Sequence, residues 1–409
     1  MKTMRALGCM VLWLALTTAA AAQTIVGIEY GNSPLTVNPV AARFKPLTAQ
    51  GVTAVKFTDV SWGDIQPYDW PAWCFWCTKY LWTDLDGRVK DWQANGFTDI
   101  HMVVRAKHPT FTSPTVTTLP PGFPSYAVFG SSNPPNADKW GAYAAWVQAL
   151  VERYDGDGKS DMPGLKQPIL IYEFESEQQD PTHWRGTVQD YLKLLATARQ
   201  AALAASPKVQ VILGGLTFGD MLDDAPSTEV VYQRLATTSE PWHTLLTDAY
   251  AFGIETFKHP ELFELVEYHS MSDASGIGPA FKAIREQFAA NGYTKPIWVG
   301  DAMATPVTVY TPGKDFNPPL PVPQMQQRLL TLLSPASAQF PAAWAQLMAD
   351  QKDLTQRKIA AAVAAGAPRI NICCLEDWPL SSTYPFGGIV DTNGTPRPVW
   401  SVIQSPTKP

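Results

Sequence analysis

Two hydrophobic rhythms alternate along the chain. Short runs rich in β-branched and aromatic residues read as strands: TIVGIEYG (24–31), TAVKF (53–57), DIHMVVRA (99–106), PILIYEFESE (168–177), VQVILGG (209–215), ELVEYHS (264–270), PIWVGDA (296–302) and PRINICC (368–374). Between them, apolar residues at helical spacing predict helices near 38–50, at 84–95, at 140–154 (WGAYAAWVQALVERY) and at 188–205 (VQDYLKLLATARQAALAA). Eight strands alternating with helices over ~250 residues or more predict an α/β fold, a single-domain (β/α)8 TIM barrel. No repeat of ~20–50 residues points to a solenoid or propeller instead.

The fourth strand carries an unusual pattern. Glu173, Glu175 and Glu177 alternate with Tyr172, Phe174 and Ser176, and a side-chain period of two sends all three acids to one face. In a barrel that face points inward, and chemistry collects at the C-terminal mouth. Glu177, the last of the three, is therefore expected at the mouth, as a reactive group or a rim carboxylate. Glu173 and Glu175 lie deeper, where an unpaired charge is costly. Arg105, Lys56 or a backbone donor are their expected partners.

Residues 1–22 (MKTMRALGCMVLWLALTTAAAA) have Lys2 and Arg5 before an apolar run and Ala20-Ala21-Ala22 at its end. This is the pattern of a cleaved secretory signal peptide, with Cys9 inside it. It predicts an exported protein, periplasmic or fully secreted, with residues 23–409 as the mature domain. The 31 basic and 37 acidic residues give −6, and loss of Lys2 and Arg5 takes this to −8. Such a surface suits neither nucleic acid nor anionic membrane as a partner. Oligomeric state is not legible.

Four cysteines follow the leader: Cys74 and Cys77 in WCFWC, and the adjacent Cys373 and Cys374. Disulfides are expected in an oxidising compartment, within each motif or between them. A redox motif or half a zinc site is the alternative for Cys74 and Cys77, but no thioredoxin-like helix follows and no His pair has ligand spacing.

Several segments taken together resemble the retaining glycoside hydrolases of the large (β/α)8 superfamily called clan A. Strand four there typically ends in a Trp-Asn-Glu-Pro type motif, and strand seven in Pro-Ile-Trp-Val-Thr-Glu. Here the corresponding stretches are Glu173-Phe174-Glu175-Ser176-Glu177-Gln178 and Pro296-Ile297-Trp298-Val299-Gly300-Asp301. SWGDIQP (61–67), ERYDGDG (152–158), HWRGTVQDYLKLL (183–195) and FGGIVDTNGTPRPVW (386–400) are similar to further family segments in the same order. The resemblance implies a carbohydrate substrate, no cofactor, Glu177 as acid/base and Asp301 as nucleophile. It also implies that His269, ending strand six, bonds the nucleophile or the sugar.

Two positions depart from the family. Asp301 stands where Glu is usual, shortening the side chain by roughly 1.3–1.5 Å. Ser176 stands where an Asn usually contacts the sugar 2-hydroxyl. A carbohydrate-binding barrel without turnover is therefore one alternative reading, and a secreted thiol or metal protein another.

Aromatic residues supply substrate-binding candidates. Trp62, Trp70, Trp73, Trp76 and Trp82 fall within residues 62–82. Trp62 and one or two others are expected to stack on sugar, with the rest filling the loop's own core. Trp378, after strand eight, is a second stacking candidate, with Glu376 and Asp377 beside it as reserve nucleophiles. Arg105 is expected to neutralise the acid cluster.

Asp155, Asp157 and Asp161 resemble the start of a calcium loop, but Lys166 occupies the twelfth position, where that loop needs Glu. An acidic turn is the alternative. Loop 311–323 is long enough to close over the mouth. His101, His108, His183, His243 and His259 show no metal-ligand spacing and receive no role.

Overall fold

The computed structural model describes residues 23–30, 41–70, 73–74, 76–118, 131–271, 273–305, 320–375, 377, 386–391 and 393–404. The expected leader (1–22, with Cys9), Trp378, Glu376 and residues 311–319 of the expected lid lie outside these. Eight parallel strands close a barrel in chain order: β1 (Ile25–Tyr30), β2 (Ala54–Ser61), β3 (Asp99–Arg105), β4 (Ile171–Phe174), β5 (Gln210–Leu216), β6 (Leu265–His269), β7 (Ile297–Met303) and β8 (Arg369–Cys373). The expected (β/α)8 barrel is therefore the fold.

Helices surround it: α1 (Ala41–Thr48), α2 (Trp62–Ile65), α3 (Thr83–Ala94), α4 (Trp140–Tyr154), α5 (Val188–Ala205), α6 (Thr228–Leu235), α7 (Trp242–Thr256), α8 (Ile277–Ala290), α9 (Val322–Leu332) and α10 (Phe340–Ala364). No helix among the described residues is long and apolar enough to cross a membrane. Helix α5 starts at a capping box, in which Thr187 accepts from Asp190 N and the Asp190 carboxylate accepts from Thr187 N. That cap fixes where the chain re-enters helix after β4.

The barrel interior is layered. At its base Ile171, Ile212, Leu265 and Trp298 form a small apolar plug, separate from the larger core between strands and helices. The Arg369 guanidinium lies 4.4 Å over the Trp298 ring. Above the plug the interior turns polar: Lys56, His101, Glu173, Glu267 and Asn371 are all fully buried. Glycines make room for them. A Cβ on Gly214 would stand 2.1 Å from Glu173 Cδ, and one on Gly300 2.2 Å from Glu267 Cδ. Gly214→Ala is accordingly expected to destabilise by about 1–3 kcal/mol through overpacking, read as a lower denaturant midpoint.

Three strand pairs slip register: β2/β3 between Phe57 and Val60, β5/β6 between Leu213 and Leu216, and β7/β8 between Val299 and Ala302. Each slip contains a left-handed residue, Asp59 (φ 63°), Gly215 (φ 66°) or Asp301 (φ 37°). Such irregularities re-aim side chains near active sites.

Candidate active site

Four strand ends build the mouth around one imidazole. Strand β4 was expected to run through Glu177 but ends at Phe174, because Glu175 (φ 64°) and Glu177 (φ 54°) take left-handed backbone. The even alternation of three acids on one face is thereby corrected. Glu173 points into the barrel, 3.5 Å from Lys56 Nζ and 3.0 Å from His101 Nε2. Glu175 turns towards the end of β3, where it accepts from Ala106 N (2.6 Å) and pairs with Arg105 (3.6 Å). The expected partners Lys56, Arg105 and a backbone donor are all present. Arg105 also binds Asp59 (3.1 Å) and the Ser176 carbonyl (2.9 Å), tying the ends of β2, β3 and β4 together.

Glu177 reaches the mouth. Its Oε1 accepts from Thr217 Oγ1 (2.7 Å), just past β5, and from His269 Nδ1 (2.9 Å), the last residue of β6. Its Oε2 lies 2.8 Å from His183 Nδ1. Burial would raise the Glu177 pKa, but His183 and His269 outweigh it and hold the carboxyl well below its usual range.

Asp301, in the β7 irregularity, places Oδ2 3.3 Å from the same His269 Nδ1. That nitrogen faces two carboxylates and so carries a proton whichever charge the ring bears. Burial opposes an imidazolium, yet Asp301 and the other acids win over both burial and Lys56 and raise the His269 pKa well above normal. One oxygen of Glu177, one of Asp301 and a His269 nitrogen all lie within 4.8 Å of one another. The shorter side chain at 301 thus still brings its carboxylate beside Glu177.

Beneath them sits Lys56, with Nζ 2.6 Å from Glu267, 3.4 Å from Glu29, 3.5 Å from Glu173, 4.0 Å from Asp301 and 3.2 Å from His269 Nε2. Burial works against its charge, but these carboxylates raise its pKa well above normal. Glu29 accepts from Asp301 N (3.1 Å). Burial first, then Asp301, pushes the Glu29 pKa well up. The donor set Glu177, His269 and Asp301 has a spacing that a divalent cation uses, but the Lys56 ammonium already supplies the positive charge there.

Two cavities open beside Glu177. One of about 380 Å³ is lined by Glu177, Thr217, Phe218, Asp220 and Trp242, among others. A neighbour of about 440 Å³ shares Gln179 and Leu245 with the first but not Glu177, and Asp301 lines neither. Trp242 is exposed and had no role in the sequence reading.

Other candidates fall elsewhere. Trp62 is fully buried, stacked on Trp146, edge-on to Tyr143 and Phe111, with Nε1 donating to Gln66. It is core, not a sugar platform. Trp73 (69% exposed) and Trp76 (66%) instead face solvent on the loop closed by a Cys74–Cys77 disulfide. Cys373 pairs with Cys374, so both bridges lie within their motifs. Ser176 is buried, and a Cβ on Gly215 would meet its Oγ at 2.2 Å, so it faces β5. Asp377 is tied to Arg397 Nη2 (2.5 Å) and Gly388 N (3.1 Å), which makes it a structural clamp on the closing segment rather than a spare nucleophile.

Asp155, Asp157 and Asp161 bring carboxylate oxygens within 4.8 Å of one another. They accept from the backbone N–H groups of Gly156, Asp157, Gly158 and Lys159, as an acidic turn does. His183, left without a role by the sequence, proves to be a direct partner of Glu177.

No protein-family model matches the sequence, and no curated protein is significantly similar to it. Solved structures do share its architecture. The GH39 enzyme from Xanthomonas axonopodis pv. citri superposes with TM-score 0.52 at 14% identity, over 94% of this chain and 65% of that one. A glucosidase from Croceicoccus marinus gives 0.54 at 14%, over 94% and 66%. GH5_18 from Streptomyces cattleya, in complex with GlcNAc, gives 0.52 at 12%, over 94% and 79%. The chain thus spans about two-thirds of the length of the first two. This chain shares the (β/α)8-barrel fold of these solved structures.

Proposed function

We propose that the protein is a retaining glycoside hydrolase acting on an oligo- or polysaccharide, with Glu177 as acid/base and Asp301 as nucleophile. The observation that carries this reading is the approach of their oxygens to within 4.8 Å, from the ends of β4 and β7. Retaining enzymes hold their carboxyls ~5–5.5 Å apart, and inverting ones ~6.5–9.5 Å, to admit a water. Asp301 attacks the anomeric carbon while a proton passes from the Glu177 carboxyl to the departing oxygen. Water then releases the sugar from Asp301, with Glu177 as base.

His269 keeps both carboxylates in register, and the Lys56 ammonium lies 4.0 Å below Asp301. Trp242 beside the smaller cavity, with Trp73 and Trp76 on the disulfide loop, offers flat faces for pyranose rings. The two intra-motif disulfides fit the export expected from the leader.

The test is hydrolysis of a panel of aryl glycosides and polysaccharides, with the first-formed anomer followed by proton NMR. Retention of configuration is expected; a first product of opposite configuration would rule out the double displacement. A second reading, sugar binding without cleavage, is favoured by the two histidines that hold the Glu177 carboxyl well below its usual range. It predicts tryptophan fluorescence changes with oligosaccharide and no turnover across the same panel.

A further inference from the structure

A general acid must have a proton to give, yet Glu177 is surrounded as an anion. Thr217, His269 and His183 lie 2.7, 2.9 and 2.8 Å from its two oxygens. Two of these contacts are committed. Thr217 Oγ1 is a hydroxyl with no tendency to give up its proton. His269 Nδ1 is bonded to Glu177 and lies 3.3 Å from Asp301 as well, inside the barrel mouth.

His183 is different. It sits six residues after Glu177, in the turn between β4 and α5, and its side chain is 35% exposed. Its Nδ1 lies 2.8 Å from Glu177 Oε2 as an ion pair whose N–H is not aligned on that oxygen, so a small rotation of the ring brings the proton onto the line between them. The other charges acting on the ring are Arg105, from β3, and Asp180, in its own turn, and their effects oppose each other. Burial lowers the His183 pKa, but Glu177 more than reverses this, leaving it raised.

We propose that His183 and Glu177 form one acid–base pair, in which His183 holds the proton at rest and Glu177 delivers it. The inference rests on the glycosidase reading and moves the stored proton off the carboxyl group. In the first half-reaction an Asp301 oxygen bonds to the anomeric carbon as the carbon's bond to the glycosidic oxygen breaks, the electron pair of that bond staying on the glycosidic oxygen. That oxygen takes a proton from Glu177, which takes the Nδ1 proton of His183, and the ring becomes neutral. In the second, water attacks the anomeric carbon and Asp301 leaves as a carboxylate. The water's proton goes to Glu177 and on to His183, restoring the pair. His183 is thus a positioning and proton-holding residue, without contact to the sugar.

The experiment compares pH profiles of kcat/KM for wild type and His183→Asn on two aryl glycosides, one with a poor and one with a good leaving group. The wild-type alkaline limb is expected above ~6.5, the ordinary histidine value. In His183→Asn it should move acidwards by about one unit or more, with the loss ~10-fold larger for the poor leaving group, which needs the proton most. An unmoved limb, or equal loss on both substrates, overturns the proposal.

Nitrogen NMR of the His183 ring is read alongside, in wild type and Glu177→Gln. The proposal needs the imidazole to titrate lower in the variant. If the wild type cleaves nothing on any substrate, the glycosidase reading fails, whereas a ring titration indifferent to Glu177→Gln refutes the pairing itself.

Discussion

Asp301→Asn is expected to lower kcat by ~1,000-fold or more on every substrate the wild type cleaves, with far less change in KM. The amide is nearly the same size and preserves the backbone N–H bond to Glu29. What disappears is the charge that attacks the anomeric carbon and that His269 Nδ1 and Lys56 surround. A second variant separates loss of the nucleophile from a disturbed mouth. In Asp301→Gly, added azide should enter from the vacated side and form a glycosyl azide of inverted configuration, because one displacement replaces two. Full activity in Asp301→Asn would mean that the second carboxylate lies elsewhere. Asp377 is a poor substitute, being bound to Arg397 and Gly388.

Lys56→Met is expected to carry the largest stability loss, about 3–5 kcal/mol, because it leaves buried carboxylates without their cation. Glu29, Glu173 and Glu267 all pair with this one ammonium. The Lys56 pKa is raised on folding, so its stabilisation is whole below the unfolded value of ~10.4 and is lost as pH rises through the folded one. Glu267 moves the other way: burial opposes its charge, but Lys56 and the two histidines hold its pKa well below normal. Its contribution is whole above ~4.3 and is lost as pH falls through the lower folded value. The contributions of Lys56 and Glu267 themselves should therefore be flat between these limits. The Lys56→Met deficit should shrink towards the acid end, where stranded carboxylates take up protons. Urea titrations at pH 7 and pH 4.5 measure both. Equal deficits at the two pH values would contradict the electrostatic account.

Strand periodicity made the barrel legible because every strand has one face on the helices and one on the interior, and both demands show in the residues. The partnership of Lys56 and Arg105 with the β4 acids was legible for a related reason: buried carboxylates need cations, and few lie on neighbouring strands. The left-handed turn at Glu175 was not, since Glu does not favour that conformation and surrounding structure must impose it. Trp62 was misread because a tryptophan beside a loop looks like a platform until Trp146 and Tyr143 are seen packed against it. Trp242 gave no signal, as it opens an ordinary amphipathic helix. His183 gave only its position six residues after Glu177, and it takes a turn to make that separation a contact.

The layer of interior charges also constrains how the barrel can come together. Lys56 arrives on β2, Glu29 on β1, His101 on β3, Glu173 on β4, Glu267 on β6 and Asn371 on β8. A fragment ending after β4 would hold the ammonium and two of its acids but lack Glu267, its nearest counter-ion at 2.6 Å. The complementary fragment would hold Glu267 with Asn371 and His269 but without the Lys56 ammonium. Neither half holds the Lys56–Glu267 pair, so splitting the gene between β4 and β5 should yield pieces that stay unstructured apart and gain order only when mixed.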